Sequence, residues 1–516
     1  MYAEVCSLAL QGFGAILVRV ECDLSSGLPR FDLVGLPGSS VSESRERVRS
    51  AIRNCGLAFP VSRITVNLAP ADVRKEGPVY DLPILAAVLL ASGQLRTDKV
   101  RDRLDGSVLL GELSLSGNIR RIKGVLPMLV SARDMGIRRA YIPDGNAAEA
   151  SVVAGMEVIP VSNIQQLLAH LNGTACIAPV PPAPFRAGTV IRSAGQAEVP
   201  DFADVRGQEA AKRALEVAAA GGHNILMVGP PGSGKSMLAR RLPGILPDMT
   251  YEEALETTKV YSVAGMLTEE TSLMSERPFR APHHTITAAA MSGGGKEARP
   301  GEIPLADNGI LFLDELPLFG KASLETLRQP LEDSRITIVR AAYSVTYPSS
   351  VMLVCAMNPC PCGYFTDPKS PCTCTDSSRH AYLSKVSGPL LDRIDIRIQV
   401  APLESKDLFS GKPGESSADI RARVAAARAV QQERFKGTGI PCNARMTPEQ
   451  AESCCIMEDG ARRLLKQAFQ TLRFSARANS RILKTARTIA DLDGSEMIMA
   501  PHIMEALRYR ETAGLT

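Results

Sequence analysis

Residues 223–242, HNILMVGPPGSGKSMLARRL, constrain the fold more than any other part of the chain. The apolar run Ile225–Val228 predicts a short buried strand, and the residues after the glycine-rich loop have the apolar spacing of a helix. This strand–loop–helix context is what the P-loop pattern requires, because glycine backbone N–H groups and the helix N-terminus together create a concave phosphate site. The alternative is a chance glycine-rich turn, which would not be expected to have both a buried strand before it and a helix after it. The predicted nucleotide-binding residues are Gly229, Pro230, Pro231, Gly232, Ser233, Gly234, Lys235 and Ser236.

A second segment, NGILFLDELPLF at residues 308–319, ends an apolar strand with an acidic pair. Such a pair on its own is usually just a turn, but the carboxyl end of a parallel strand faces the nucleotide crevice of this fold class. We therefore expect Asp314, together with Ser236, to hold Mg²⁺, and Glu315 to polarise the attacking water. Lys235 would reach the β- and γ-phosphates of ATP.

The 516 residues are too many for one core and divide into blocks of different pattern. Residues 1–172 mix β-branched strands with helices, and residues 173–200 form a Pro- and Ala-rich linker. Residues 201–402 open with a βαβ pattern that predicts a doubly wound parallel sheet. Residues 403–516 are helical and predict a lid domain. The fold class is therefore α/β, with an α+β N-terminal domain.

Charge and cysteine content bear on the partners and the cellular compartment of the protein. A formal net charge of +4 neither demands nor excludes nucleic acid. Twelve cysteines without an apparent secretion signal favour a reducing compartment, where thiols stay free or bind metal. The longest apolar run, residues 82–92, is shorter than the roughly 18–20 residues needed to cross a bilayer. We expect a cytoplasmic protein without a membrane partner.

Several long motifs resemble the magnesium-chelatase-like AAA+ proteins, and within them the ComM/YifB group. The resemblance covers essentially the whole chain and is carried by DLVGLPGSSVSESRERVRSAI, RITVNLAPADVRKEGPVYDLPI, RPFRAPHHTIT, GILFLDELPLF, MNPCPCGY, SGPLLDRIDI and SARANSRILKTARTIADL. It implies a hexameric ring whose ATP sites are completed between neighbouring subunits.

The resemblance also implies roles for three further residues. Asn358 is similar to the sensor-1 residue that orients the lytic water. Arg393 is similar to an arginine finger that reaches the γ-phosphate in the adjacent subunit, and Arg477 to a sensor-2 residue on the lid. The segment DVRGQEAAKRALEVAAAGGHN resembles the helix that packs on the adenine side.

Basic residues are concentrated in the predicted lid. Residues 461–490 contain eight Lys or Arg and no acidic residue. Arg473, Arg477, Arg481 and Lys484 have helical spacing and are predicted to share one face. An unpaired cationic stripe favours a phosphate-bearing partner, ATP or DNA, and the alternative is a plainly solvated face.

Two further segments are candidates for DNA contact. SRITIVRAAYSVTYP predicts a hairpin that resembles the pre-sensor hairpin of MCM-type helicases, which implies that Arg340 touches the DNA backbone. MSGGGKEARPGEI is a glycine-flanked insertion with Lys296 and Arg299, similar to the second pore loop of the family. The alternative is an ordinary hairpin and a surface loop.

Four cysteines within fifteen residues, Cys360, Cys362, Cys372 and Cys374, form a C-x-C…C-x-C set. Four thiolates hold Zn²⁺ tetrahedrally, although zinc sites more often have two residues between the cysteines of a pair. The intervening segment is rich in turn-forming residues, which lets the pairs converge. We expect structural zinc, with four unliganded thiols as the alternative.

Residues 60–145 resemble the proteolytic domain of Lon. The resemblance aligns Val79 with the catalytic serine and Leu126 with the catalytic lysine. Neither side chain can act as nucleophile or base, so the fold is expected without peptidase activity.

The resemblance implies an ATP-dependent helicase or translocase that drives branch migration on single-stranded or branched DNA during natural transformation. Recombination proteins are the further partners that it suggests. The alternatives are an ATPase subunit of magnesium chelatase and an AAA+ chaperone or scaffold without translocation. The Lon-like domain argues against a chelatase subunit, because that family is expected to lack it.

Overall fold

The computed structural model describes residues 1–95, 98–183, 199–295, 298–340, 343–367, 370–402, 414–472 and 475–510. As far as they are described, residues 1–194, 251–274 and 339–347 form one compact unit. Residues 195–250, 275–338 and 348–516 form a second. Two segments from within the predicted ATPase core thus belong to the N-terminal unit. Most of the predicted linker, residues 184–198, lies outside the described residues.

Both units contain strands and helices. The strands are β1 (Tyr2–Gln11), β2 (Gly14–Ser25), β3 (Arg30–Val34), β4 (Arg63–Ala69), β5 (Ser107–Leu109), β6 (Glu112–Leu113), β7 (Ile119–Arg120), β8 (Arg139–Pro143), β9 (Glu157–Val161), β10 (Ile225–Val228), β11 (Phe279–Arg280), β12 (Gly293–Gly294), β13 (Arg299–Pro300), β14 (Ile310–Leu313), β15 (Arg335–Arg340), β16 (Tyr343–Pro348), β17 (Met352–Met357) and β18 (Ile396–Gln399).

The helices are α1 (Ser39–Ser42), α2 (Ser44–Asn54), α3 (Asp81–Ala91), α4 (Asp98–Leu104), α5 (Val125–Asp134), α6 (Ala147–Ala150), α7 (Ile164–Asn172), α8 (Glu209–Gly221), α9 (Lys235–Arg241), α10 (Tyr251–Ala264), α11 (Ala288–Ser292), α12 (Glu302–Leu305), α13 (Lys321–Glu325), α14 (Arg328–Asp333), α15 (Asp376–Leu383), α16 (Gly388–Asp392), α17 (Ser417–Arg434), α18 (Pro448–Cys454), α19 (Asp459–Leu472), α20 (Ala476–Leu492) and α21 (Ala500–Arg508). Among the described residues, none of these helices has the length and apolarity that a membrane span needs.

The first unit has a four-stranded sheet in the order β1-β2-β4-β3 and a parallel sheet in the order β5-β8-β9. β4 alternates between buried and more exposed residues, which is the pattern of a sheet with one covered face. The helix α3 is buried on nearly every side and forms the core of the unit. The β-branched segments AILVRVECDL, SRITVNLAP and RAYIP lie in β2, β4 and β8.

The positions aligned with the Lon dyad are packed into the core of the first unit. Val79 is 7% exposed and Leu126 is fully buried. Two residues after Val79, the buried carboxylate of Asp81 accepts hydrogen bonds from Arg47 Nε at 2.6 Å and from the Leu113 backbone N–H at 3.0 Å. These contacts satisfy a charge that would otherwise be costly to bury.

The second unit is built on a parallel sheet in the order β11-β14-β17-β10-β18. β10, β14 and β17 are buried along their whole length, as expected for parallel strands covered on both faces. Their carboxyl ends therefore meet at one edge of the sheet. The parallel sheet predicted for this part of the chain is confirmed.

Helices α17 to α21 form the predicted helical region, and a buried ion-pair cluster holds α20 in place. The Asp491 carboxylate accepts hydrogen bonds from Arg434 Nη1 at 2.9 Å, Arg487 Nε at 3.1 Å and Asn443 Nδ2 at 2.7 Å. Both Asp491 and Arg487 side chains are essentially without solvent contact.

Replacing Asp491 by Ala should destabilise the second unit by about 3–5 kcal/mol, because the buried Arg487 and the partly buried Arg434 lose their counter-charge. Differential scanning calorimetry should show a lower melting temperature. Asp493→Ala is the matched control: its carboxylate is 47% exposed and ion-pairs with Arg213 and His502, so a loss below about 1 kcal/mol is expected. Equal melting temperatures for the two variants would contradict this account.

Candidate nucleotide site and cysteine cluster

The glycine-rich loop follows β10, between the carboxyl ends of β17 and β18. A Cβ on Gly229 would lie 2.3 Å from the carbonyl oxygen of Val400, so only glycine fits this approach. Gly232 and Gly234 have φ angles of +75° and +90°, a region that side chains disfavour. The glycines thus let the backbone enter α9 through left-handed turns that other residues would adopt only under strain.

Lys235 lies inside this loop with 8% of its surface exposed. Its ammonium donates hydrogen bonds to the carbonyl oxygens of Gly229 and Pro230, both at 2.8 Å, and to Asn358 Oδ1 at 3.3 Å. Burial lowers the pKa of Lys235, and the charge of Asp314 opposes that shift. The side chain is therefore placed within the loop where a phosphate would bind.

The acidic pair lies on the other side of the loop. Ser236 Oγ donates a hydrogen bond of 2.6 Å to Asp314 Oδ2, so the two predicted Mg²⁺ ligands are adjacent. Hydroxyl and carboxylate oxygens are suitable donors for this hard cation. Glu315 follows with a φ of +54°, and 56% of its side chain is exposed. The structure thus brings Asp314 and Asn358, which are distant in sequence, to Lys235 and Ser236 of the phosphate loop.

Gln208 is a residue of this site that sequence reasoning missed. Its amide donates to the carbonyl oxygens of Ala401 at 2.6 Å and Ser233 at 3.4 Å. It thereby ties the start of α8 to the phosphate loop and to the end of β18. The only sequence signal was its position inside the segment that resembles the adenine-side helix.

Arg393 is not brought to this cluster. Its side chain is 7% exposed, forms an ion pair with Glu332 and donates to the Pro389 carbonyl at 2.6 Å. No contact in the described part of the chain joins it to Lys235 or Asp314. Its role in an adjacent subunit remains a prediction.

The cationic stripe expected from the sequence is not unpaired at Arg481 and Lys484, and that part of the interpretation was wrong. Arg481 forms an ion pair with Asp395 at 3.1 Å, and Lys484 donates to the Ala444 carbonyl at 3.3 Å. Burial lowers the pKa of Lys484. Arg477, in the first turn of α20, is exposed, and Arg473 lies outside the described residues. The sequence pattern missed the pairing because Asp395 and Ala444 are distant in sequence.

The candidate DNA residues are only partly described. Arg299 is exposed on β13, whose pairing with β12 forms a small antiparallel hairpin. Lys296 lies outside the described residues, and so does the side chain of Arg340 at the end of β15.

The four predicted zinc ligands converge, with all four sulfur atoms within 4.8 Å of one another. The Sγ–Sγ distances are 3.3 Å for Cys360–Cys362, 3.5 Å for Cys362–Cys372 and 3.6 Å for Cys360–Cys372. Tetrahedral Zn–S bonds of about 2.3 Å imply roughly 3.8 Å between sulfurs, so the group fits this ion. Hydrogen bonding, above all from the Tyr364 backbone, lowers the pKa of Cys362 to about 6, which favours the metal-binding thiolate.

The cysteine cluster lies against the nucleotide site. A Cβ on Gly363 would lie 2.5 Å from Cδ of Pro231, so the loop between the cysteines touches the phosphate loop directly. Arg379, in the helix that follows Cys374, stacks on Phe365 with its guanidinium carbon 3.8 Å from the ring centroid. Metal binding here would brace the segment that begins at Asn358.

Three family profiles match the chain. "Magnesium chelatase, subunit ChlI" matches residues 201–408, "Magnesium chelatase, subunit ChlI C-terminal" matches residues 414–510, and "Subunit ChlI of Mg-chelatase" matches residues 20–146. Because the last profile covers most of the N-terminal unit, the presence of that domain does not by itself argue against a chelatase subunit.

The chain is similar along nearly its whole length to proteins of several bacteria. Competence protein ComM of Haemophilus influenzae is 42% identical over 514 residues, covering 98% of this chain and 97% of that protein. YifB of Escherichia coli is 41% identical over 504 residues, covering 97% and 96%. A Lon protease of Lachnoclostridium phytofermentans is 26% identical over 178 residues, covering 32% of this chain and 21% of that protein.

The parallel sheet, the phosphate loop and the matched profiles define a magnesium-chelatase-like AAA+ protein, a class that hydrolyses ATP. Within that class, the chain belongs to the ComM/YifB family.

Purified protein should contain about one equivalent of zinc per chain, measured by inductively coupled plasma mass spectrometry after gel filtration. Cys372→Ser should lose most of it, because three sulfurs bind the ion far more weakly. Cys454→Ser is the control, since that thiol lies outside the cluster and should leave the zinc content unchanged. Less than half an equivalent in the intact protein would contradict the assignment.

Proposed function

We propose that this protein is a DNA translocase, a ring of identical subunits in which ATP hydrolysis drives branch migration of recombination intermediates during natural transformation. The observation that carries the proposal is the linked site of Lys235, Ser236, Asp314 and Asn358. The likeness to a competence protein along 98% of the chain supports the biological setting.

The residues at the sheet edge suit ATP with Mg²⁺. A bound Mg²⁺ would neutralise charge that develops on the phosphates during phosphoryl transfer. Ser236 and Asp314 would hold it, since their oxygens already lie 2.6 Å apart. When ATP binds, the Lys235 ammonium would leave the carbonyl oxygens of Gly229 and Pro230 and donate hydrogen bonds to phosphate oxygens instead.

Hydrolysis needs a positioned water and a stabilised γ-phosphate. Glu315 would accept the proton of the water, and the Asn358 amide would orient it from the end of β17. Arg477 is exposed on α20 and is therefore available to a phosphate.

The ring completes the site with a guanidinium from the neighbouring subunit. Arg393 would have to leave Glu332 to act in this way, since that ion pair now occupies its side chain. An exchange of partners of this kind would link the state of one subunit to hydrolysis in the next.

DNA would be held by the β12–β13 hairpin and by the β15–β16 hairpin. Both are β-hairpins, and the basic residues proposed for them are Lys296, Arg299 and Arg340. Phosphate contacts by such residues supply sequence-independent affinity, which is what a translocase requires. The N-terminal unit would contribute to assembly or to gripping DNA, not to proteolysis.

Arg393→Ala should lower ATP hydrolysis by roughly 10³-fold, because an arginine finger stabilises charge on the transferred phosphoryl group. Lys235→Ala should also be inactive. Mixing the two variants should restore activity, since an interface can then combine an intact phosphate loop with an intact finger. Arg328→Ala, at an exposed surface pair with Glu325, is the control and should hydrolyse ATP at the parent rate.

Mass photometry would show whether the variants still assemble. Hydrolysis by Arg393→Ala at the parent rate, or no recovery in the mixed rings despite normal assembly, would contradict a finger acting between subunits.

Arg340→Ala and Arg299→Ala should each reduce DNA-stimulated hydrolysis and strand displacement several-fold, and each should make DNA binding less salt-dependent, by about one unit of slope. Arg335→Ala is the control because Arg335 is exposed at the opposite end of β15. DNA stimulation at the parent level in both variants would remove the pore assignment, and a parent that DNA does not stimulate would remove the proposed function.

A further inference from the structure

An open cavity of about 640 Å³ lies in the second unit beside β18, the edge strand of the parallel sheet. Its walls come from β18, from the start of α8 and from one side of α21. Residues of the phosphate loop are not among those that line it. A cavity of this size holds a small organic molecule, and it is separate from the site proposed for ATP.

The acidic charge in the cavity is already matched. Among the described residues that line it, Glu505 carries the negative charge, and its carboxylate accepts hydrogen bonds from Arg213 Nε at 3.1 Å and from the Tyr509 hydroxyl at 2.8 Å. Arg213 lines the cavity too and forms a second ion pair with Glu216 at 3.3 Å. This part of the wall therefore has neither a free anion nor a free cation.

Two other guanidinium groups in the wall have no such partner. Arg397 and Arg508 line the cavity, and neither forms an ion pair with a residue that the structure describes. Arg508 is exposed at the end of α21, whereas Arg397 is 8% exposed. Arg397 Nη2 donates to the Leu391 carbonyl at 2.7 Å, and Arg397 Nε has no hydrogen-bond partner. A buried guanidinium without a counter-charge costs free energy that a bound anion would recover.

A further buried cation adds to the positive potential at Arg397. Arg510 is 9% exposed and donates to the Ile394 carbonyl at 2.7 Å. Burial, and then the charges of Arg397 and Arg481, lower the pKa of Arg510 to about 10. Arg481 is paired with Asp395, but Arg510 forms no ion pair in the described part of the chain. The charges around Arg397 thus favour an anion.

The rest of the cavity wall offers apolar surface. Ile398, Pro501 and Met504 line it, and 46% of Met504 is exposed. Apolar surface next to unmatched positive charge suits an anionic group that is attached to an apolar body. Guanidinium groups match the oxygen geometry of phosphate, and the double charge of a phosphate monoester suits two of them.

We propose that this cavity binds a small phosphate ester, with its phosphate between Arg397 and Arg508 and its apolar body against Ile398 and Met504. A nucleic-acid strand does not suit the cavity, because Arg397 is nine-tenths buried and a backbone phosphate carries a nucleotide on each side. The site does not depend on the proposed action on DNA.

The alternative is a purely structural Arg397 that binds the Leu391 carbonyl at the end of α16. The two roles differ in the sign of a change in stability. In an anion site without its anion, Arg397 is an unmatched buried charge, so Arg397→Met should raise the melting temperature in phosphate-free buffer by about 2 °C. A structural Arg397 would make the same replacement lower it.

Isothermal titration calorimetry tests binding in the full chain carrying Lys235→Ala, which weakens phosphate binding at the phosphate loop. The probes are inorganic phosphate and 1-naphthyl phosphate at constant ionic strength. The naphthyl ester should bind about ten-fold more tightly, because its rings bury apolar surface in the cavity. Arg397→Met should weaken both probes by about ten-fold or more, and Met504→Ser should weaken only the ester, by about five-fold.

Arg428→Met is the matched control. Arg428 is also 8% exposed and donates to the carbonyl oxygens of Ala219 and Ala220 at 2.9 and 3.0 Å, but it does not line the cavity. Its replacement should lower the melting temperature and leave both dissociation constants within two-fold of those of the Lys235→Ala protein.

Each outcome decides a separate point. Unchanged affinities in Arg397→Met would overturn the site, and so would a phosphate-free melting temperature that falls in Arg397→Met as it does in Arg428→Met. Equal affinities for the two probes would overturn the apolar part of the ligand. Arg397-dependent binding of single-stranded DNA, with no binding of either small probe, would assign the surface to nucleic acid instead. ATP hydrolysis that DNA does not stimulate would remove the proposed function, while these titrations would still decide the cavity.

Discussion

The arrangement of the site depends on two hydrogen bonds that cross the carboxyl edge of the parallel sheet. Lys235 reaches Asn358, and Ser236 reaches Asp314, so the loop after β10 is joined to the ends of β17 and β14. Each bond requires its strand to be in register with β10, because a shift of one residue would reverse every side chain. The buried strands therefore position the residues at this edge. The cysteine cluster contacts it through Gly363, and His284 contacts it through Glu315.

A second set of contacts connects the backbone at Arg393 to the helical region. Asn224 donates to the Arg393 carbonyl at 3.0 Å and accepts from the Leu353 backbone N–H at 2.9 Å. Asp395 accepts from the Asn224 N–H at 3.1 Å and pairs with Arg481 on α20. Although burial raises the pKa of Asp395, its hydrogen bonding to His223 and the charge of Arg481 hold that pKa well below the usual value. A charged carboxylate thus joins the sheet to the helical region.

This network also explains why the number of basic residues in 461–490 wrongly suggested an unpaired cationic face. The basic residues of 461–490 look unpaired when only that segment is read, since the carboxylates that neutralise them come from elsewhere. Asp395 belongs to the turn before β18, and Asp491 lies just beyond the counted window. Arg477 differs because its side chain is exposed. An argument from charge pattern needs the counter-ions of neighbouring elements before it indicates a ligand.

The sequence by itself determined the elements and the chemistry of the phosphate loop. The run Ile225–Val228, the glycines after it and the acidic pair after β14 are local signals, because a buried parallel strand and a tight phosphate turn each restrict the residues that can form them. The C-x-C pairs likewise predicted a metal site, and the convergence of the four sulfur atoms supports that prediction. Only the tertiary structure decided that Gln208 ties α8 to the loop, that Arg393 is paired with Glu332, and that His284 faces Glu315. Those contacts join residues from separate elements, and their distances follow from strand order and helix packing, which no local pattern encodes.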